Sequence, residues 1–181
     1  VGELGWEIHH PIEYQNQIFD VLFEQGEDLK LKPFGIRAMD SMRIEKSYRM
    51  PGRELSIEYS ALESGLDRFI SENKGEFLGR NGLAEWKSKG FSYCFVTLEV
   101  ENIDDADALG NNPIYHKDKL VGRATSGGYG FRVQKSLVLA MIDPDFSKAN
   151  IDLEIDILGK RFKAILIEES PFDKNNERLR S

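Results

Sequence analysis

Over the first 89 residues the apolar positions change period several times. Leu4, Trp6 and Ile8 alternate with Glu3, Gly5 and Glu7, a period of two that predicts a strand over Glu3–His10, ended by Pro11. Tyr14, Ile18, Val21 and Leu22 then recur at i, i+4, i+7 and i+8, one face of a helix with Gly26 as its stop. Pro33-Phe34-Gly35 marks a turn. A second short helix is expected from about Asp40, capped by Asp40 or Ser41, before Pro51-Gly52 breaks the pattern. A third helix is expected near Tyr59–Ser64 and a fourth over about Asn81–Lys89, where Leu83 and Trp86 are three apart.

From Gly90 onward the character changes. Phe91–Val100, Pro113–His116, Leu120–Thr125, Leu137–Ile142, Ile151–Leu158 and Phe162–Glu168 are short β-branched or aromatic runs between turns. Such strands without intervening helices predict a small barrel or sandwich. The chain therefore reads as α+β, with a boundary at about residue 89: strand plus helices over 1–89, all-β over 90–181. One strand cannot form a sheet, so the partners of Glu3–His10 are expected upstream of Val1. The bared strand edge would then favour self-association.

Composition narrows the function classes. The formal net charge is −7, against a general nucleic-acid binder, which must neutralise phosphates. No apolar run approaches the ~18 residues a membrane helix needs, and Val1–Gly5 shows no leader pattern and no initiator Met. Cys94 is the single cysteine, so no internal disulfide forms and a reducing compartment fits, cytoplasmic or, in a eukaryote, the mitochondrial matrix. Its apolar strand context predicts a buried structural thiol rather than a nucleophile. Arg37, Arg43, Lys46, Arg49 and Arg53 form a basic run whose plain reading is a solvated helix face, with a small anionic ligand as the sharper one.

Candidate chemistry is sparse. His9 and His10 would point to opposite faces of a strand, and His116 is the only other histidine, so no metal site is expected. Thr125–Gly130 is glycine-rich without a following helix, and predicts a hairpin turn rather than a phosphate loop. Glu7, beside Trp6, is open to two readings: an exposed strand residue, or a carboxylate accepting two parallel N–H bonds from a pterin-like edge.

Four stretches resemble one family. Gly2-Glu3-Leu4-Gly5-Trp6-Glu7-Ile8 resembles the Thr-Gly-Glu-x-Gly-Tyr-Glu motif of glycine-cleavage T-proteins. The run from Gly35 to Lys46 resembles their Gly-x-x-Ala-x-Asp-Ser-Leu-Arg-Leu-Glu motif, and Leu62-Glu63-Ser64-Gly65-Leu66 their Leu-Glu-Ala-Gly-Leu element. Gly122–Gly130, followed by Lys135–Ala140, resembles their C-terminal barrel motif. The wording Arg43-Ile-Glu-Lys-Ser-Tyr-Arg49 looks more like the folate modules of dimethylglycine and sarcosine dehydrogenases.

The resemblance implies the end of a folate-binding domain over 1–89 and a small Greek-key β-barrel over 90–181. It implies tetrahydrofolate as cofactor and a small methylated amine as substrate, with FAD only in an upstream domain if one exists. Glu7, beside Trp6, matches the family's folate-contacting glutamate. The family's arginine falls on Met39, leaving Arg37 as its substitute, and a pocket-lining aromatic falls on Arg68. Arg178 falls at a further folate contact. The catalytic aspartate belongs upstream, so no catalytic residue is expected in this chain. A folate-dependent demethylase and a non-catalytic folate-binding regulator are the alternatives.

Overall fold

The computed structural model describes residues 1–71, 73–103 and 106–180. Its helices are α1 (Gln15–Gln25), α2 (Ile36–Glu45), α3 (Arg80–Lys89) and one terminal turn, α4 (Glu177–Arg180). Between α3 and α4 run β1 (Cys94–Val100), β2 (Pro113–His116), β3 (Lys119–Gly130), β4 (Lys135–Ile142), β5 (Leu153–Ile157) and β6 (Lys160–Ile167). The strands pair antiparallel in the order β1-β4-β3-β2-β5-β6, and β6 returns to β1 to close a barrel. Strands β2, β3 and β4 meander while β1 lies beside β4, which is a Greek key. The α+β architecture with a small all-β barrel is thus the one observed. No helix among the described residues is long and apolar enough to cross a membrane.

Side-chain alternation fills the barrel. Leu153, Ile155 and Ile157 of β5 turn inward while Glu154 and Asp156 do not, and they meet Leu98, Ile114, Val138, Ala140 and Ile142. Strand β4 breaks the alternation because both of its faces are covered. Val138, Ala140 and Ile142 face the barrel interior, whereas Leu137 and Leu139 pack outside it against Ile44 of α2. That second cluster seats α2 on the barrel wall and fixes the joint on which the candidate site is built.

Several expectations are corrected. Glu3–His10 is not a strand: the segment makes no ladder, and Leu4, Trp6 and Ile8 are exposed. With no β partner beside it, alternation alone yields no strand. The bare-edge argument for self-association lapses with it. Helix α2 starts at Ile36 after Gly35, so Asp40 and Ser41 lie inside the helix and cap nothing. Tyr59–Ser64 is a run of turns, not a helix. Ser60 N and Oγ donate to Glu63 Oε2 while Glu63 N donates to Ser60 Oγ, a local box that closes one turn. Gly65, at φ +67°, then ends it.

The glycine-rich stretch is not a turn either: β3 runs straight through it, and the hairpin turns at 131–134. A Cβ on Gly127 would lie 2.2 Å from the Ala108 carbonyl oxygen, so glycine is required there by close backbone approach. Cys94 opens β1, half-buried against the barrel core.

Candidate functional site

The second half of α2 and the residues after it carry the charged wording 43–54, and nearly all of that charge is spent on the barrel. Arg43, almost fully buried, donates from Nε to Asp40 Oδ1 (2.6 Å), from Nη1 to Tyr48 O (2.9 Å) and Glu54 Oε2 (3.3 Å), and from Nη2 to Ser126 Oγ on β3 (2.6 Å). Glu54 is fully buried and also accepts from Met50 N (2.9 Å), Thr125 Oγ1 (2.6 Å) and Ser126 Oγ (2.5 Å). Glu45 Oε1 accepts from the Arg132 and Val133 amides of the β3–β4 turn. Ser47 meets Thr97 of β1 at 2.8 Å, and Arg49 forms a two-pronged ion pair with Glu169 while lying 3.8 Å over the Phe95 ring. Burying such charges is tolerated only because each is paired. The basic run is therefore a joint, and only Arg37 and Arg53 are exposed as a solvated face requires.

The same joint draws the C-terminal tail back onto α2. Phe172 N donates to Glu45 O (3.0 Å), Lys46 Nζ donates to Asp173 O (2.6 Å) and Oδ2 (3.4 Å), and the Tyr48 hydroxyl donates to Asn176 Oδ1 (3.3 Å). Burial alone would raise the Asp173 carboxyl, but the Glu177 and Arg178 amides and the Lys46 ammonium hold it below the usual carboxylate range. Between tail and joint lies a hollow of about 520 Å³. Leu55, Leu66 and Phe69 form its apolar side; Tyr48, Asn176, Arg68 and Arg180 supply polar and cationic groups. A smaller hollow of about 310 Å³ adjoins it, sharing Tyr48, Arg68 and Asn176 and adding Lys46 and Lys174 together with the carboxylates of Asp67 and Glu169. An apolar wall with a cationic rim suits a flat ring carrying an anionic tail.

A hollow of similar size, about 530 Å³, lies between Arg53 and Arg123. Each guanidinium there already serves a carboxylate, Arg53 that of Asp40 and Arg123 that of Glu58.

The residues singled out from sequence are dispersed. Arg68 sits in a single 3-10 turn (Asp67–Phe69), 4.8 Å over Phe69, on the rim of the tail hollow. Arg178 donates to Glu3 Oε1 (3.4 Å) and lies 5.6 Å over Phe172. Trp6 is 88 % exposed, and His9 Nε2 lies 3.6 Å from the Glu7 carboxylate. Arg37 stands exposed in the first turn of α2, with no hydrogen bond or ion pair among the described residues. The structure brings Arg68 to the tail. Glu3 links the Trp6–Glu7 segment to that tail. Sequence reasoning missed Tyr48, Arg180 and Asn176: Tyr48 stood inside the quoted run Arg43–Arg49, and Asn176 and Arg180 each lie two residues from Arg178.

The chain is thus a short helical segment locked by buried ion pairs onto a closed Greek-key barrel, with a hollow at the joint that Arg68 and Arg180 help to line. Two family models match it in order: the GCVT N-terminal domain over residues 1–74 and the glycine cleavage T-protein C-terminal barrel domain over residues 94–173. The chain belongs to the glycine-cleavage T-protein family. It is 36 % identical over 93 % of its length to mitochondrial dimethylglycine dehydrogenase of Homo sapiens, covering 19 % of that protein. It is 31 % identical over 96 % of its length to an aminomethyltransferase of Thermoanaerobacter pseudethanolicus, covering 47 % of it. The glycine cleavage system aminomethyltransferase T of Bartonella henselae shares the fold, with TM-score 0.80 at 18 % identity over 91 % of this chain and 45 % of that one. The chain thus spans a fifth to a half of these relatives.

Proposed function

We propose that this chain forms part of the tetrahydrofolate wall of a one-carbon transferase acting on a glycine derivative of the dimethylglycine or sarcosine type. The observation that carries the reading is the hollow at the tail, apolar on one side and lined by Arg68 and Arg180 on the other, at the joint of the two family domains. Its volume suits one folate-sized ligand. Phe69, Leu55 and Leu66 take the ring system, Arg68 and Arg180 its carboxylates, and exposed Arg37 attracts the anionic end. Glu7 pairs with the pterin edge and Trp6 flanks it, both on the segment that Glu3 ties to Arg178. The work of these residues is to bind and orient, so that the reacting nitrogen of the folate meets its one-carbon donor, which is a proximity effect. The domain boundary near residue 89 belongs to the same reading, as does a location in the cytoplasm or, in a eukaryote, in the mitochondrial matrix; the dimethylglycine dehydrogenase relatives are named as mitochondrial.

Calorimetric titration of the full-length protein with 5-formyltetrahydrofolate tests it. Glu7→Gln swaps a charge-assisted acceptor for a donor and should weaken binding about 30- to 1000-fold, on the order of 2–4 kcal/mol. Arg68→Ala should weaken it about 5- to 30-fold. If both variants bind within about threefold of wild type, the folate assignment is wrong.

A further inference from the structure

The motif stretch Gly2–Ile8 contains one carboxylate to which the folate reading gives no task. Glu3 Oε1 accepts from Arg132 Nη1 in the β3–β4 turn and from Arg178 Nη1 in α4, the latter at 3.4 Å. The two guanidiniums lie over one ring, Phe172, at 4.7 and 5.6 Å. Like charges brought together over one ring repel unless an anion stands between them. Gly2 completes the anchor: it is buried at φ +70°, and a Cβ there would lie 2.7 Å from Lys46 Cγ. Lys46 in turn grips Asp173, whose Oδ2 accepts from Arg178 N at 3.3 Å. Arg178 is thus held at its backbone by Asp173 and at its side chain by Glu3.

We propose that Glu3 is a positioning residue for the ligand-binding wall: its carboxylate fixes the Arg178 side chain and ties the Trp6–Glu7 segment to the tail. The proposal rests on the folate reading, and within it on the ligand contact that the family resemblance implies for Arg178. A free arginine carries about 2 kcal/mol of rotamer entropy, and a ligand that must order it loses that much affinity. Holding Arg178 before the ligand arrives removes the loss.

The test compares Glu3→Gln, Glu3→Asp, Arg178→Ala and the Glu3→Gln/Arg178→Ala double variant of the full-length protein. The readouts are the dissociation constant for 5-formyltetrahydrofolate and the thermal midpoint. Glu3→Gln should weaken binding about 3- to 10-fold, with Glu3→Asp, which keeps the charge between the guanidiniums, within about twofold of wild type. Arg178→Ala should weaken it at least as much as Glu3→Gln, and the double variant no further than Arg178→Ala alone. Wild-type affinity in Glu3→Gln with weakened Arg178→Ala overturns the proposal and leaves the folate reading standing. Equal losses in Glu3→Gln and Glu3→Asp, or a double variant equal to the sum of its parts, also overturn it, since a merely structural contact behaves so. Unchanged affinity in both single variants overturns the folate role of Arg178 and the proposal with it.

Discussion

Replacing Glu54 by Gln isolates the charge at the centre of the joint while keeping its shape. The carboxylate is fully buried and accepts from Arg43, Met50 N, Thr125 and Ser126. The amide has one acceptor oxygen, and its best orientation turns that oxygen toward Arg43 and Met50 N. The NH₂ then faces two hydroxyls, which can rotate to accept. Hydrogen bonds are largely restored in that arrangement, but Arg43 keeps only Asp40 as a counter-charge. A charge-assisted bond exceeds a neutral one by about 1–1.5 kcal/mol, and two or three such bonds are downgraded. The expected loss is therefore about 2–4.5 kcal/mol, at or a little below the 3–5 kcal/mol that follows outright removal of a buried partner. Urea unfolding reads it directly, provided m is unchanged. Glu58→Gln, at the more exposed pair with Arg123, should cost under about 1 kcal/mol. A Glu54→Gln loss no larger than that of Glu58→Gln would refute the claim that the buried charges hold helix to barrel.

Three further outcomes are expected. Gly127→Ala should destabilise by about 1–3 kcal/mol through overpacking against the Ala108 carbonyl, whereas Gly82→Ala in α3, which meets nothing within 4 Å, should stabilise by about 0.5–1 kcal/mol; thermal midpoints check both. Arg132, then Arg178, hold the Glu3 carboxyl below the usual range, and Asp173 is likewise lowered, so their contribution is complete above the unfolded value of about 4 and lost as pH falls through the folded values. Trp6 fluorescence and tail hydrogen exchange should accordingly stay constant from neutrality to about pH 5 and change only in stronger acid. The 181-residue chain by itself should form no methylenetetrahydrofolate, and turnover by it would show that the catalytic group lies within these residues after all.

The barrel was legible because each of its strands carries its own signal. β5 alternates strictly and β4 is a continuous apolar run, and both were located within a residue or two. α1 and α3 were legible from their apolar spacing and stop signals. What failed was local pattern without a tertiary partner or with an unforeseen one. Glu3–His10 alternates but has no strand beside it among the described residues. Thr125–Gly130 has turn composition, yet its glycines serve close contacts with Ala108 and with Ile44. Arg43, Lys46 and Arg49 read as a solvated face because their partners, Ser126, Asp173 and Glu169, lie 83 to 127 residues away. Arg68 was found through resemblance, and no periodicity marks it.

The charged wording 43–54 thus separates into two tasks that motif matching merges. Arg43, Glu45, Lys46, Arg49 and Glu54 have their polar groups occupied by the barrel, the tail or each other. A ligand could recruit them only by breaking a buried pair, and breaking one costs about 3–5 kcal/mol, more than one new charged hydrogen bond returns. Tyr48 and Arg49 border the hollow from within that wording, but the Tyr48 hydroxyl is taken up by Asn176 and the Arg49 guanidinium by Glu169. Groups able to meet a ligand without that cost lie outside the wording: Arg37 in the first turn of α2, Arg68 beyond it, and Arg180 in the tail. Stability and recognition therefore respond to different substitutions even though both depend on arginine. On the proposed reading, a change inside the joint should lower stability first and affinity only as a consequence, whereas a change on the rim should alter affinity in a protein that unfolds as before.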